Sequence, residues 1–175
     1  MKYHIEKNTI QETLVIPLYA RALCTRRFPH LFSDPLSVEL LEQLDYDFSA
    51  LERTSGSLMQ TFGAMEAAMR QSDLAWEVRD YLADHPQAAV VNLGCGLDQT
   101  GRSCDNGQCR LFSIDLPDVM AVREALLHAG KREKNLAADL NDLSWFDAID
   151  TPLEDGAVFF AAGVFYYFRT EQVQA

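Results

Sequence analysis

The sequence predicts an α/β fold, with a helical N-terminal part leading into an open, mostly parallel sheet. Three observations predict it. Residues 1–86 carry apolar side chains at helical spacing. From Gln87 onward, short and nearly all-apolar runs alternate with helical stretches. Each of those runs ends in glycine or aspartate. The expected organisation is a helical N-terminal part over 1–86 and a parallel-sheet part over 87–175.

The helical part comes first. In Thr9–Arg26, Leu14, Leu18, Ala22 and Leu23 fall on one helical face, and Pro17 predicts a break or kink inside it. Asp34-Pro35 is a start signal, an N-cap type followed by proline at the first helical position. Leu36, Leu40, Leu41 and Leu44 form the stripe behind it. Leu51–Met69 is rich in Leu, Met, Ala and Phe and runs on through Leu74, Trp76, Val78, Tyr81 and Leu82. The turn pair His85-Pro86 stops it. Ala88–Leu93 is apolar but for Asn92, the pattern of a strand buried on both faces of a parallel sheet. Leu111–Ile114 is a second strand, ending in Asp115. Pro117 opens a helix to about Ala129, with Gly130 as its stop. Asn135–Ala138 is a weaker third strand, ending in Asp139. Gly156–Ala162 is a fourth, ending in Gly163, and Thr170 is a candidate cap for a last helix. The chain has no internal repeat and no low-complexity linker.

Composition narrows the function. The 175 residues are 48% hydrophobic and 23% charged, an ordinary globular balance with chain enough for one sizeable core. Fifteen Lys and Arg stand against 26 Asp and Glu, a net charge of −11. That charge disfavours a nucleic-acid partner and an anionic membrane surface, since both need cations. No apolar run is long enough for a bilayer span, and MKYHIEKNTI lacks a signal-peptide core. Four cysteines in 175 residues make no disulfide scaffold, so the expectation is a cytoplasmic protein with reduced thiols.

The chemistry sits at the strand ends, where open α/β sheets bind ligands. Gly94-Cys95-Gly96 allows a tight turn and close backbone approach to a ligand. A tight turn without a ligand is the plain alternative. Asp115 lies 19 residues beyond Gly96, a spacing at which a carboxylate accepts from both hydroxyls of a ribose. Its alternative is a helix-capping role before Pro117. Asp139 could accept from an adenine amino group, or be one more loop carboxylate. Gly163 leaves room for a close backbone approach, with Phe165, Tyr166 and Tyr167 behind it, or these aromatics simply pack. Gln99 stands where a dinucleotide fingerprint needs its third glycine. S-adenosylmethionine (SAM) has no pyrophosphate, so the substitution and the acidic strand ends favour SAM over NAD. Cys95, Cys104, Cys109 and His128 match no zinc spacing, so no metal is expected. Cys104 and Cys109 flank Asn106-Gly107, a hairpin turn signal, across which they would face each other.

Several stretches together resemble the leucine carboxyl methyltransferase family. They are Val90–Asp98, Glu12–Leu23, Asp34-Pro35-Leu36, Ile114–Val119, Ala138-Asp139-Leu140 followed by Trp145, and Ala161–Phe168. The last is similar to the bacterial branch that resembles the tetracenomycin polyketide-synthesis O-methyltransferases. The resemblance implies a Rossmann-like class I SAM-dependent methyltransferase core under an N-terminal helical lid. By the same resemblance, Gly94, Cys95 and Gly96 would line the SAM methionine and ribose, and Asp115 with Leu116 the ribose. Asp139 and Leu140 would frame the adenine, and Gly163 would lie at the fourth strand end. Arg70 would pair with the SAM carboxylate, and Tyr19, Tyr166 and Tyr167 would face the acceptor. The chain departs from the family at Ala162, where many members carry Glu. The family's sheet has seven strands and this sequence supplies four, so a C-terminally truncated core is expected.

The function implied is SAM-dependent O-methyl transfer to a small-molecule carboxylate or hydroxyl, such as a polyketide. A carboxylate acceptor is ionised near neutral pH and needs no base, whereas a hydroxyl would profit from one. No catalytic base stands out in the sequence. The alternatives are a non-catalytic SAM-binding or interaction module and an NAD-binding oxidoreductase.

Overall fold

A computed structural model describes residues 2–174. The chain forms two compact units, Met1–Asp73 and Leu74–Ala175.

The first unit is mostly helical. A short strand β1 (Tyr3–His4) is followed by a 3₁₀ turn (Ile10–Leu14) and then by α1 (Val15–Arg27). The break predicted at Pro17 falls just upstream of it, where 3₁₀ changes to α. Pro17 is the third residue of α1, in the first turn, where a missing N–H costs no helical hydrogen bond. α2 (Pro35–Gln43) begins as the sequence predicts: Asp34 accepts from the Ser37 N–H at 3.0 Å, and Pro35 takes the first position. β2 (Leu44–Asp45) pairs in parallel with β1. These two-residue strands were not expected, and Leu44 belongs to β2 rather than to the helical stripe.

The long apolar stretch is two helices, not one. α3 (Ser49–Thr54) and α4 (Leu58–Asp84) are separated at Ser55-Gly56-Ser57. Within the first unit, Ala64 and Ala68 of α4 are buried in one cluster with Cys24, and Ala20 and Leu23 pack against it. The last turns of α4 belong to the second unit. There Ala75, Val78 and Leu82 pack in one cluster with Val90, Leu111 and Phe160.

The second unit is α/β with a parallel sheet. After the turn at His85-Pro86 come β3 (Ala89–Leu93), α5 (Thr100–Ser103), β4 (Arg110–Asp115), α6 (Pro117–Leu126) and β5 (Glu133–Ala137). β6 (Ala157–Ala161) and α7 (Thr170–Gln174) complete it. The strand order is β5-β4-β3-β6, all parallel. Alternate residues of β3 feed two cores, Val90 on one face and Ala89 and Val91 on the other. Burial on both faces explains why this strand reads as a continuous apolar run.

Two local expectations change. α6 ends at Leu126, not near Ala129, because buried Leu127 turns extended to feed the connection to β5. Asn106-Gly107 does not close a hairpin. It links α5 to parallel β4, and the Asn106 side chain accepts from the Gln108 and Cys109 N–H groups at 2.9 and 2.8 Å. Cys104 and Cys109 are buried free thiols in one core cluster.

Candidate functional site

Strand order creates the site. From β3 the chain steps outward to β4 and β5, then returns to the other side of β3 for β6. The strand order thus reverses at β3, and in open α/β sheets a crevice for ligands lies beyond the carboxyl ends at such a point. Gly94-Cys95-Gly96 follows β3 and Ala162-Gly163 follows β6. The two loops touch. A Cβ at Gly94, where φ is +63°, would stand 2.5 Å from the Val164 Cβ. Only glycine fits this close approach in this conformation.

Asp115 ends β4, one strand along. Its Oδ2 accepts from the Gly96 N–H at 2.8 Å, and its Oδ1 from the Leu116 N–H at 2.8 Å. The structure therefore joins Gly96, Asp115 and Leu116 by direct hydrogen bonds. Burial pushes the Asp115 carboxyl above its ordinary pKa, against the opposing pull of those two N–H groups and of Arg123. Each carboxylate oxygen keeps lone-pair capacity for a further donor. Cys95 is buried beside Met120, its Sγ 3.7 Å from the Met120 Sδ. Burial pushes its thiol up to about 12, so near neutral pH it is protonated and no nucleophile.

Asp139 and Leu140 follow β5. Asp139 is exposed, and its Oδ1 accepts from the Asn141 N–H and Nδ2 at 2.9 and 2.8 Å. Those bonds hold its pKa below the ordinary carboxylate value. Leu140 packs against the core cluster that contains Trp145, and the Trp145 indole donates to its carbonyl at 3.4 Å. Tyr166 and Tyr167 are exposed on a 3₁₀ turn (Phe165–Tyr167) that begins two residues after Gly163. Arg70 and Tyr19 belong to the first unit. Arg70 is half-buried on α4, and Tyr19 is buried on α1 with its ring stacked 5.9 Å from that of Phe48.

The turn after β3 is braced by residues that the strand-end reading missed. Asp98 accepts from Asn92 Nδ2 at 2.9 Å, the Thr100 N–H at 3.2 Å and Thr100 Oγ1 at 2.9 Å. Arg123, 1% exposed, donates to the carbonyls of Gly96 and Asp98, each at 2.9 Å. A signal for Arg123 does exist in the sequence. It lies four residues after Val119 and three after Met120, a cation in the buried stripe of α6. Among the described residues no cluster of three His, Cys, Asp or Glu side chains forms a metal site. Among the described residues, too, no helix is long and apolar enough to cross a membrane.

Chemically, the crevice presents a carboxylate with two acceptor oxygens beside a glycine-lined backbone turn. That set suits a ligand bearing adjacent hydroxyls. Comparison with known proteins shows the family. The model of the leucine carboxyl methyltransferase family matches residues 15–175. The tetracenomycin polyketide synthesis O-methyltransferase TcmP of Streptomyces glaucescens is 32% identical over 162 residues. That match covers 91% of this chain and 57% of TcmP, so the chain spans a little over half the length of this curated relative.

Proposed function

The chain belongs to the leucine carboxyl methyltransferase family, and from that premise we propose that it serves SAM-dependent O-methylation of a small-molecule carboxylate or hydroxyl, such as a polyketide. The observation that carries the reading is Asp115. Its two carboxylate oxygens are each steadied by one backbone N–H at a strand end beside the glycine turn. Two vicinal ribose hydroxyls are the donors that such a pair of oxygens accepts. The residues present therefore fit an adenosine-bearing group.

SAM rather than a dinucleotide is supported by the segment just past the glycine turn. α5 has four residues, too few for a helix that would meet a pyrophosphate with its dipole. Gln99 is buried in place of the third glycine, and its Nε2 donates to the Asp98 carbonyl at 3.1 Å.

In this reading Gly94, Cys95 and Gly96 bring backbone against the cofactor, Asp115 and Leu116 hold the ribose, and Asp139 and Leu140 flank the adenine. Gly163 closes the crevice from the β6 side. Arg70, by the family resemblance, meets the methionine carboxylate. When bound, SAM supplies a methyl group already activated by its sulfonium. The chain's own task is then to hold an acceptor oxygen in line with that methyl and to exclude water. Tyr19, Tyr166 and Tyr167 are the proposed acceptor contacts. A carboxylate acceptor would need no base from the chain.

The test pairs calorimetry with methyl transfer. SAM and S-adenosylhomocysteine should bind, NAD should not, and label should pass from SAM to a small aromatic acid or polyketide. NAD binding without SAM binding would overturn the reading. SAM binding with no transfer to any acceptor class would leave a non-catalytic SAM-binding module.

A further inference from the structure

The glycine turn after β3 is short and must keep one shape. Two of its carbonyls, those of Gly96 and Asp98, accept from the same nitrogen, Arg123 Nη1, at 2.9 Å each. Arg123 Nη2 reaches Ser113 Oγ on β4 at 3.2 Å and Glu133 Oε1 at the start of β5 at 3.3 Å. The Arg123 side chain is 2% exposed and that of Glu133 is 3% exposed. Glu133 Oε2 accepts in turn from Arg102 Nε at 2.7 Å, and Arg102 lies on α5, the helix straight after the turn. One buried carboxylate thus anchors both the turn and the helix that leaves it.

We propose that Arg123 is a positioning residue that fixes the cofactor-binding turn from behind. Asp115 holds the Gly96 N–H, and Arg123 holds the Gly96 carbonyl. Gly96 has φ +47°, a conformation that glycine visits freely and leaves freely. Two fixed partners on that residue remove the freedom before any ligand arrives, which is preorganisation. A lysine has no planar fork and cannot bridge two carbonyls, a hydroxyl and a carboxylate together. The proposal rests on the cofactor reading for its ligand, though not for its effect on the turn.

The test compares wild type, Arg123→Lys and Arg102→Gln. Arg102→Gln breaks the same Glu133 network without touching the turn, so it controls for general loosening. Two readouts are taken: amide exchange over 94–99, and calorimetric affinity for S-adenosylhomocysteine. Arg123→Lys should speed exchange across the turn more than across β4, and weaken binding about tenfold or more. Arg102→Gln should leave both turn exchange and affinity near wild type. Equal effects from the two variants, or wild-type turn exchange in Arg123→Lys, would overturn the proposal. If wild type binds no S-adenosylhomocysteine, the cofactor reading fails and exchange alone decides the role of Arg123. Should Arg123→Lys not fold, Ser113→Ala frees one of its anchors and is read with the same expected direction and the same overturning result.

Discussion

At the scale of single residues, the crevice is governed by a missing methyl group and a buried carboxyl. Gly94 lacks a Cβ that would stand 2.5 Å from the Val164 Cβ, and its φ is +63°. Alanine there meets both a left-handed backbone and a collision. Gly94→Ala should cost about 2–4 kcal/mol in urea unfolding. Adding Val164→Ala should recover only part of that, because the Val164 Cβ itself is in the way. Asp115 makes a prediction about pH. Its folded pKa lies above the ordinary 3.8, so between those values the folded state holds more protons than the unfolded one. Its contribution to stability is therefore present below 3.8 and is lost as pH rises through the folded pKa. The wild type minus Asp115→Asn difference in unfolding free energy should fall across that window. Hydroxyls donating to Asp115 favour its anion, so ligand affinity in the wild type should rise with pH across the same window. A flat difference curve would mean that Asp115 titrates alike in both states.

At the scale of elements, α2 tests how much one residue can organise. The Asp34 side chain caps the helix through the Ser37 N–H and accepts from Arg21 Nε at 3.0 Å. Its own N–H donates to Thr25 Oγ1. The Arg21 and Asp34 side chains are 7% and 9% exposed, so removing the carboxylate strips a buried cation of an ionic partner. Asp34→Ala should cost about 3–5 kcal/mol, and Asp34→Asn, which keeps the cap, distinctly less. Denaturation curves of the two variants decide it. This helix was legible in the sequence because its start is written locally, in Asp34-Pro35. β3 was legible because burial on both faces leaves a continuous apolar run. β1 and β2 were not, since two residues carry no periodicity and their partners lie 41 positions apart. The break at Ser55-Gly56-Ser57 was hidden by the apolar residues on both sides of it. At the turn after β3, Gly94 and Gly96 stood out by residue type. Arg123 did not, because its only signal is its position, a cation in the buried stripe of α6 with Val119 and Met120.

At the scale of the whole molecule, sheet topology ranks the stability of its parts. β3 pairs with β4 and β6, and β4 pairs with β3 and β5, so both sides of each central strand are engaged. β5 and β6 each have one partner strand among the described residues. The outer strands are also less covered. Lys134 and Ala137 of β5 are exposed, and Phe159 of β6 is 43% exposed. Local opening is easier where fewer apolar contacts and ladder bonds must break. Deuterium exchange should therefore be slowest in Ala89–Leu93 and Arg110–Asp115, and faster in Glu133–Ala137 and Ala157–Ala161. The order matters for the crevice, because its walls are unequal. Gly96 and Asp115 are carried by the two best-held strands, whereas Asp139 and Gly163 follow the outer ones. A ligand that bridges these ends should slow exchange most in β5 and β6, where there is most opening to suppress. Protection in Ala157–Ala161 equal to that in Ala89–Leu93 without ligand would contradict the ranking and would mean that the free side of β6 is paired in solution.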